Sequence, residues 1–187
     1  MSPSTIFGMQ LVLGYVPWLL FLGAYGWPRL KAMDPVQAQR AIATLHSFRF
    51  FGLVFILPGV VGRDLPAGFA LSAAYGDFVT GMLAMLALAT VRIRPLFWLF
   101  VLAFNVAGTA DLLFNYYHGA RFGLPEQAGE LAATYWIPIL YVPALMITHV
   151  VAFYLLMRPR PRTSRPLAES AASFALSSSS ASRPPGR

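Results

Sequence analysis

The chain has 187 residues, of which 57% are hydrophobic and 11% charged, against about 25% charged in soluble domains, so lipid rather than water is the expected solvent. Cysteine is absent, which excludes disulfides, thiolate metal sites, iron–sulfur ligation and cysteine lipidation. The net charge of +7 lies in short loops and a Pro/Ser-rich tail and not on a basic face interleaved with aromatics, so no nucleic-acid partner is expected.

A membrane-crossing helix needs roughly 20 mainly apolar residues. The first such run is Ile6 to Gly26, with no basic region before it and no small-residue cleavage pattern after it, so it reads as a retained span at 6–26. Residues 27–42 interrupt the pattern at Trp27-Pro28-Arg29-Leu30-Lys31. Asp34-Pro35 then reads as an N-cap followed by proline at the first helical position. A second span is expected over 43–62, bent near Pro58-Gly59, before a turn at Arg63-Asp64-Leu65-Pro66. Spans at 67–91, 96–117 and 133–156 follow, with Arg92-Ile93-Arg94-Pro95 as a short connection. The fold class is therefore an all-α transmembrane bundle of about five helices over residues 1–157.

Loop charge sets the expected orientation. With the N-terminus outside, the inner segments hold Arg29, Lys31, Arg40, Arg92, Arg94, Arg158, Arg160, Arg162 and Arg165, and the outer loops hold Arg63 and Arg121. Trp18, Trp27, Trp98, Trp136, Tyr116, Tyr117 and Tyr135 mostly fall near span ends, where amphipathic rings favour the interface. Residues 158–187, rich in Arg, Pro and Ser, are expected to form a disordered cytoplasmic tail. Lysine occurs once against thirteen arginines, a bias associated with GC-rich bacterial genomes, and the expected location is a bacterial cytoplasmic (inner) membrane.

An ionisable group at the bilayer centre costs at least about 2.5–3.5 kcal/mol on insertion scales, so each needs a partner, a cavity or a neutral state. On the fourth span, Asn105, Gly108, Asp111, Asn115 and His118 fall within roughly 140° at 100° per residue and should face the bundle interior. The second span presents His46, Arg49, Gly52 and Gly59 together, and the third Asp77, Thr80, Gly81 and Ala84. Rise per residue puts Arg49 and Asp77 within about 5 Å of each other axially, so they are the favoured buried pair, with Asp111 the other partner for Arg49. Binding or proton-relay candidates are thus Arg49, Asp77, Asn105, Asp111 and Asn115. The competing explanation is an ion pair that fixes helix register and interhelical hydrogen bonds from the asparagines. His46 and His149 lie at matched depth and could ligate a b-type haem, although lone membrane histidines more often bond across helices. No other cofactor is expected.

Phe69-Ala70-Leu71-Ser72-Ala73-Ala74-Tyr75-Gly76-Asp77 with Thr80-Gly81, and Asn105-Val106-Ala107-Gly108-Thr109-Ala110-Asp111, resemble stretches in a group of uncharacterised bacterial integral membrane proteins. Proteins of that group often carry proline and glycine where this chain has Ala73 and Ala74. The resemblance implies a polytopic membrane protein and brings no activity or site residues with it.

Three functions compete. The first is small-solute or proton transport through the polar interior, and the second a non-catalytic accessory or assembly protein. The third is a membrane enzyme or haem carrier, for which the sequence offers no metal-binding HExxH, nucleophile elbow or Asp-rich lipid-pyrophosphate motif. Expected partners are the lipid bilayer and either a second copy of the chain or another membrane protein.

Overall fold

Helix α1 (Pro3–Ala32) starts where the Ser2 hydroxyl accepts the Thr5 N–H at 3.2 Å and proline fills the first turn. This is a computed structural model of the chain, and it describes residues 1–158; the expected tail, Arg158 apart, lies outside the described residues. The helix continues through Trp27-Pro28 where the sequence reading placed a break. In a regular α-helix the Pro28 ring would clash with the carbonyl of Ala24. A π turn over Leu22–Gly26 widens the helix just before the proline and lets it go on.

Helix α2 (Pro35–Ser47) begins at the expected cap, with Asp34 Oδ2 accepting the Val36 N–H at 3.0 Å. It then tightens into a 3₁₀ run, Phe48–Ile56. Nine residues is long for a 3₁₀ helix, in which side chains three apart line up. Arg49, Gly52 and Phe55 are the buried residues of the run, and His46, three residues earlier, is buried too. Leu57 leaves the helix in an extended conformation (φ −84°, ψ 117°), as the residue before Pro58 must, and Gly59 turns the chain at φ 84°.

Helix α3 (Ala67–Ala89) and helix α4 (Arg94–Arg121) follow. After Gly123, at φ 65°, a 3₁₀ segment Ala128–Tyr135 leads into helix α5 (Ile137–Met157). That helix starts later than the expected residue 133 because the 3₁₀ segment occupies its first turn. Its opening is a π turn, Ile137–Tyr141. Pro143 denies the Ile139 carbonyl its usual helical donor, and α1 packs there: a Cβ on Gly14 would collide with that carbonyl. Trp18 donates its indole N–H to the Leu140 carbonyl at 2.8 Å.

Four described helices, α1, α3, α4 and α5, are long and apolar enough to cross a membrane. The segment expected as the second span is not among them, because α2 ends at Ser47 and the 3₁₀ run replaces a continuous α-helix. Short connections make successive segments antiparallel. Two apolar clusters result. One, at the end of the 57–66 turn, includes Phe55, Phe69, Leu124 and Leu131. The other, toward the 90–93 turn, includes Ile42, Ala84, Phe97, Phe104 and Val151. On each of the segments that meet there, the ionisable residues sit between these clusters.

At the 57–66 end, Glu130 ties the segment before α5 to the turn before α3. Its carbonyl accepts the Gly62 N–H at 2.7 Å, and its Oε2 accepts the Asp64 N–H at 3.1 Å. Glu130→Ala removes the side-chain bond and keeps the backbone one, so it should lower stability by about 1 kcal/mol, read from unfolding of the purified protein in SDS-containing mixed micelles.

Candidate functional site: a buried arginine between two aspartates

The 3₁₀ run carries Arg49 into the middle of the bundle, where it has no exposed surface. Its guanidinium spends its donors on three segments. Nε donates to Asp77 Oδ1 of α3 at 2.6 Å, and Nη2 to Asp111 Oδ2 of α4 at 2.5 Å. Nη1 lies 3.5 Å from the Gly108 carbonyl of α4 and 3.4 Å from His149 Nε2 of α5. Asp77 and Asp111 were alternatives in the sequence reading; both bind Arg49 at once. The fixed fork of donors makes this possible, since an ammonium offers no comparable planar set.

Hydrogen-bond chemistry fixes the histidine beside it. Arginine only donates, so His149 Nε2 faces it as an acceptor, and the ring proton sits on Nδ1. That proton goes to Asn105 Oδ1 at 2.9 Å, while Asn105 Nδ2 donates to the Val101 carbonyl at 2.8 Å. On the other side of the arginine, Asn115 Nδ2 donates to Asp111 Oδ1 at 3.0 Å. Ser72 of α3 donates to Asn115 Oδ1 at 3.0 Å, and its oxygen lies 3.3 Å from His118 Nδ1. A single run of contacts therefore links Asn105, His149, Arg49, Asp111, Asn115, Ser72 and His118. From Asn105 to His118 it covers about 20 Å along α4.

Three glycines make room for it. A Cβ on Gly52 would collide with the Asp77 carboxyl group, one on Gly76 with that of Asp111, and one on Gly108 with both His149 and Arg49. Each charged or ring side chain thus lies against a backbone that has no side chain of its own. The sequence reading placed Gly52 on one face with Arg49 and Gly108 on one face with Asp111; here, together with Gly76, they seat side chains.

Ser72 was missed as a site residue. Its signal was available, because Ser72 and Gly76 on α3 have the same four-residue spacing as Asp111 and Asn115 on α4, and the antiparallel helices set Gly76 against Asp111 and Ser72 against Asn115. Thr148 was missed as well; its hydroxyl lies 3.0 Å from His46 Nε2.

His46 and His149 do approach each other, with ring centroids 4.1 Å apart and planes at 41°. This is ring contact, and it leaves no gap for a porphyrin between them. His46 Nε2 and His149 Nδ1 are also engaged with Thr148 and Asn105, so the pair does not fit axial ligation of a haem. Among the described residues, no three His, Asp or Glu side chains come together as a metal-binding group.

A family model described as a domain of unknown function, DUF8737, matches residues 6–157. The chain belongs to this family. The DUF8737 match takes in all four membrane-length helices and every residue of the Arg49 cluster, and stops where the basic tail begins. No curated protein and no solved structure matches the chain.

Removing one partner from a buried ion pair leaves the other charge uncompensated, at about 3–5 kcal/mol. Arg49→Met should therefore lower stability by that order, leaving two carboxyl groups without a cation. The triple variant Arg49→Met, Asp77→Asn, Asp111→Asn should recover most of the loss. Unfolding of the single and triple variants in the same mixed micelles tests this, and a triple variant no more stable than the single one would mean that charge pairing is not what Arg49 contributes.

Proposed function

We propose that the protein is a small multi-pass transport protein of a bacterial cytoplasmic membrane that moves protons by way of the Asp77 and Asp111 carboxyl groups, whose charge Arg49 balances. The observation that carries this reading is the pair of carboxyl groups that share Arg49, with a charge imbalance between them and a run of contacts from Asp111 through Asn115 and Ser72 to His118. One guanidinium faces two carboxyl groups. With both carboxylates ionised the cluster holds one surplus negative charge in a low-dielectric interior, where such a charge is costly. A proton shared within the cluster balances it. Such a proton has the two carboxylates to sit on, and Asn115 and Ser72 bridge from Asp111 to the His118 imidazole toward the end of the bundle that bears the 57–66 turn.

The same reading counts five crossing segments. The 3₁₀ run extends α2, and its greater rise of about 2.0 Å per residue lets a shorter segment reach farther. Together Pro35–Ile56 spans about 37 Å, enough for a hydrocarbon core of about 30 Å. Arg29, Lys31, Arg40, Arg92 and Arg94 fall on one set of turns and Arg63 and Arg121 on the other, and the positive-inside rule then favours an N-terminus outside.

Asp111→Asn is the informative variant, because it leaves one arginine against one aspartate and so a neutral, paired cluster. Purified wild type in liposomes should dissipate an imposed pH gradient, followed with an internal pH-sensitive dye, at least tenfold faster than Asp111→Asn. Background-level flux from both proteins would sink the transport reading and favour the non-catalytic accessory or assembly role, in which the cluster locks helix register.

A further inference from the structure

The Arg49 cluster borders a mostly apolar cavity. A cavity of about 300 Å³ lies between α1, the 3₁₀ run, α3, α4 and the start of α5. Phe7 and Leu11 of α1, Phe55, and Leu112 of α4 form its walls, and Asp77 and Asn115 are polar groups on its lining. Along α4 its lining runs from Leu112 to Ala120, about 12 Å of helix. A volume of 300 Å³ over that length corresponds to a mean cross-section of about 25 Å², the girth of a single hydrocarbon chain. Ligand sites of this kind, mostly apolar with a few placed polar groups, start at about this volume.

The polar groups select the head. Asp77 gives Oδ1 to Arg49, and its Oδ2 accepts no hydrogen bond from the described residues. Asn115 gives one amide proton to Asp111 and keeps a second. A free acceptor and a free donor on residues of one lining match a hydroxyl, which donates once and accepts as well. A carboxylate or phosphate head would meet no spare cation, since Arg49 is already held by two carboxyl groups, and it would add negative charge beside them. Tyr116, which also lines the cavity, hydrogen-bonds Tyr15 of α1 at 2.7 Å, so the seam between α1 and α4 lies beside the space.

We infer that this cavity is a binding site for a single-chain amphiphile with an uncharged hydroxyl head, its chain among the walls and its hydroxyl between Asp77 and Asn115. The site stands on the cavity and its polar end; it shares Asn115 with the run of contacts and Asp77 with the Arg49 cluster but needs no proton movement.

Photo-crosslinking tests it directly, with full-length protein in phosphatidylcholine vesicles and three decyl probes that carry the same diazirine: an alcohol, a carboxylic acid and an alkane. The alcohol should label peptides containing Leu112–Ala120 or Phe7–Leu11, be displaced by unlabelled decanol, and exceed the acid at least fivefold. Ala73→Phe and, separately, Gly119→Leu put bulk into the lining and should each cut the alcohol labelling at least fivefold; Gly119 has ordinary space for a Cβ, 3.5 Å from Leu124. Equal labelling by acid and alcohol, no displaceable labelling, or labelling unchanged in both filled variants would overturn the site. Saturable labelling of a protein without proton flux would leave the site standing and the transport reading fallen, and flux without labelling the reverse.

Discussion

An arginine held away from all solvent inside an apolar bundle dictates the arrangement of everything around it. Its charge needs compensation and its five N–H groups need acceptors, and lipid supplies neither. Arg49 obtains the compensation, and acceptors for four of the five, from Asp77 on α3, Asp111 and the Gly108 carbonyl on α4, and His149 on α5. Three helices are thereby fixed in axial register against the 3₁₀ run, since sliding any of them by one turn would strip the guanidinium of a partner. The apolar clusters on either side contribute burial, which is not directional; the arginine contributes the direction.

Geometry had to be altered to reach this state. An α-helical continuation of α2 would carry Arg49, Gly52 and Phe55 around the helix by 300° per step, so their faces would drift apart over two turns. In the 3₁₀ run, side chains three apart eclipse. His46, Arg49, Gly52 and Phe55 are all buried, with Gly52 against the Asp77 carboxyl group. The glycines at 52, 76 and 108 complete the fit from the other side. A bulkier residue at any of them would displace a charged or imidazole group and not merely a methyl, so close backbone packing here serves the polar network first.

Much of this was legible from the residues. The stripe on α4 was visible as a helical face, and axial rise alone brought Arg49 to the level of Asp77. The Asp34-Pro35 start of α2 followed from capping chemistry. What was not legible has physical causes. Periodicity near 3.6 was applied to residues 43–62, where the buried residues repeat every three, so a 3₁₀ run passed as a helix. Pro28 was taken as a break because its clash with the preceding turn is the usual outcome, whereas π turns relieve that clash at Leu22–Gly26 and again near Pro143. Helical wheels also place Ser72 on a face without saying what opposes it. Its role emerges only when antiparallel pairing sets it against Asn115.

The orphaned polar atoms sharpen the asymmetry of the interior. His46 Nδ1, Gln39 Oε1, Thr80 Oγ1 and Thr109 Oγ1 are buried without hydrogen-bond partners among the described residues. His46 and Gln39 lie on α2, on the arginine-rich side of Arg49, where the run of contacts ends at Asn105 and the Val101 carbonyl. On the other side the run continues through Ser72 to half-buried His118. On the transport reading, a proton held in the cluster has a way toward the 57–66 turn. Toward the opposite end it meets a gap that holds histidine and glutamine with unused hydrogen-bonding atoms. Buried polar atoms of this kind are costly unless satisfied, and water or a small shift of α2 would satisfy them. The gap between Asn105 and Gln39 is thus the place where a change of structure would connect the cluster to the second face, and Asp77, which both binds Arg49 and lines the apolar cavity, is the residue through which an occupant of that cavity would be felt by the cluster.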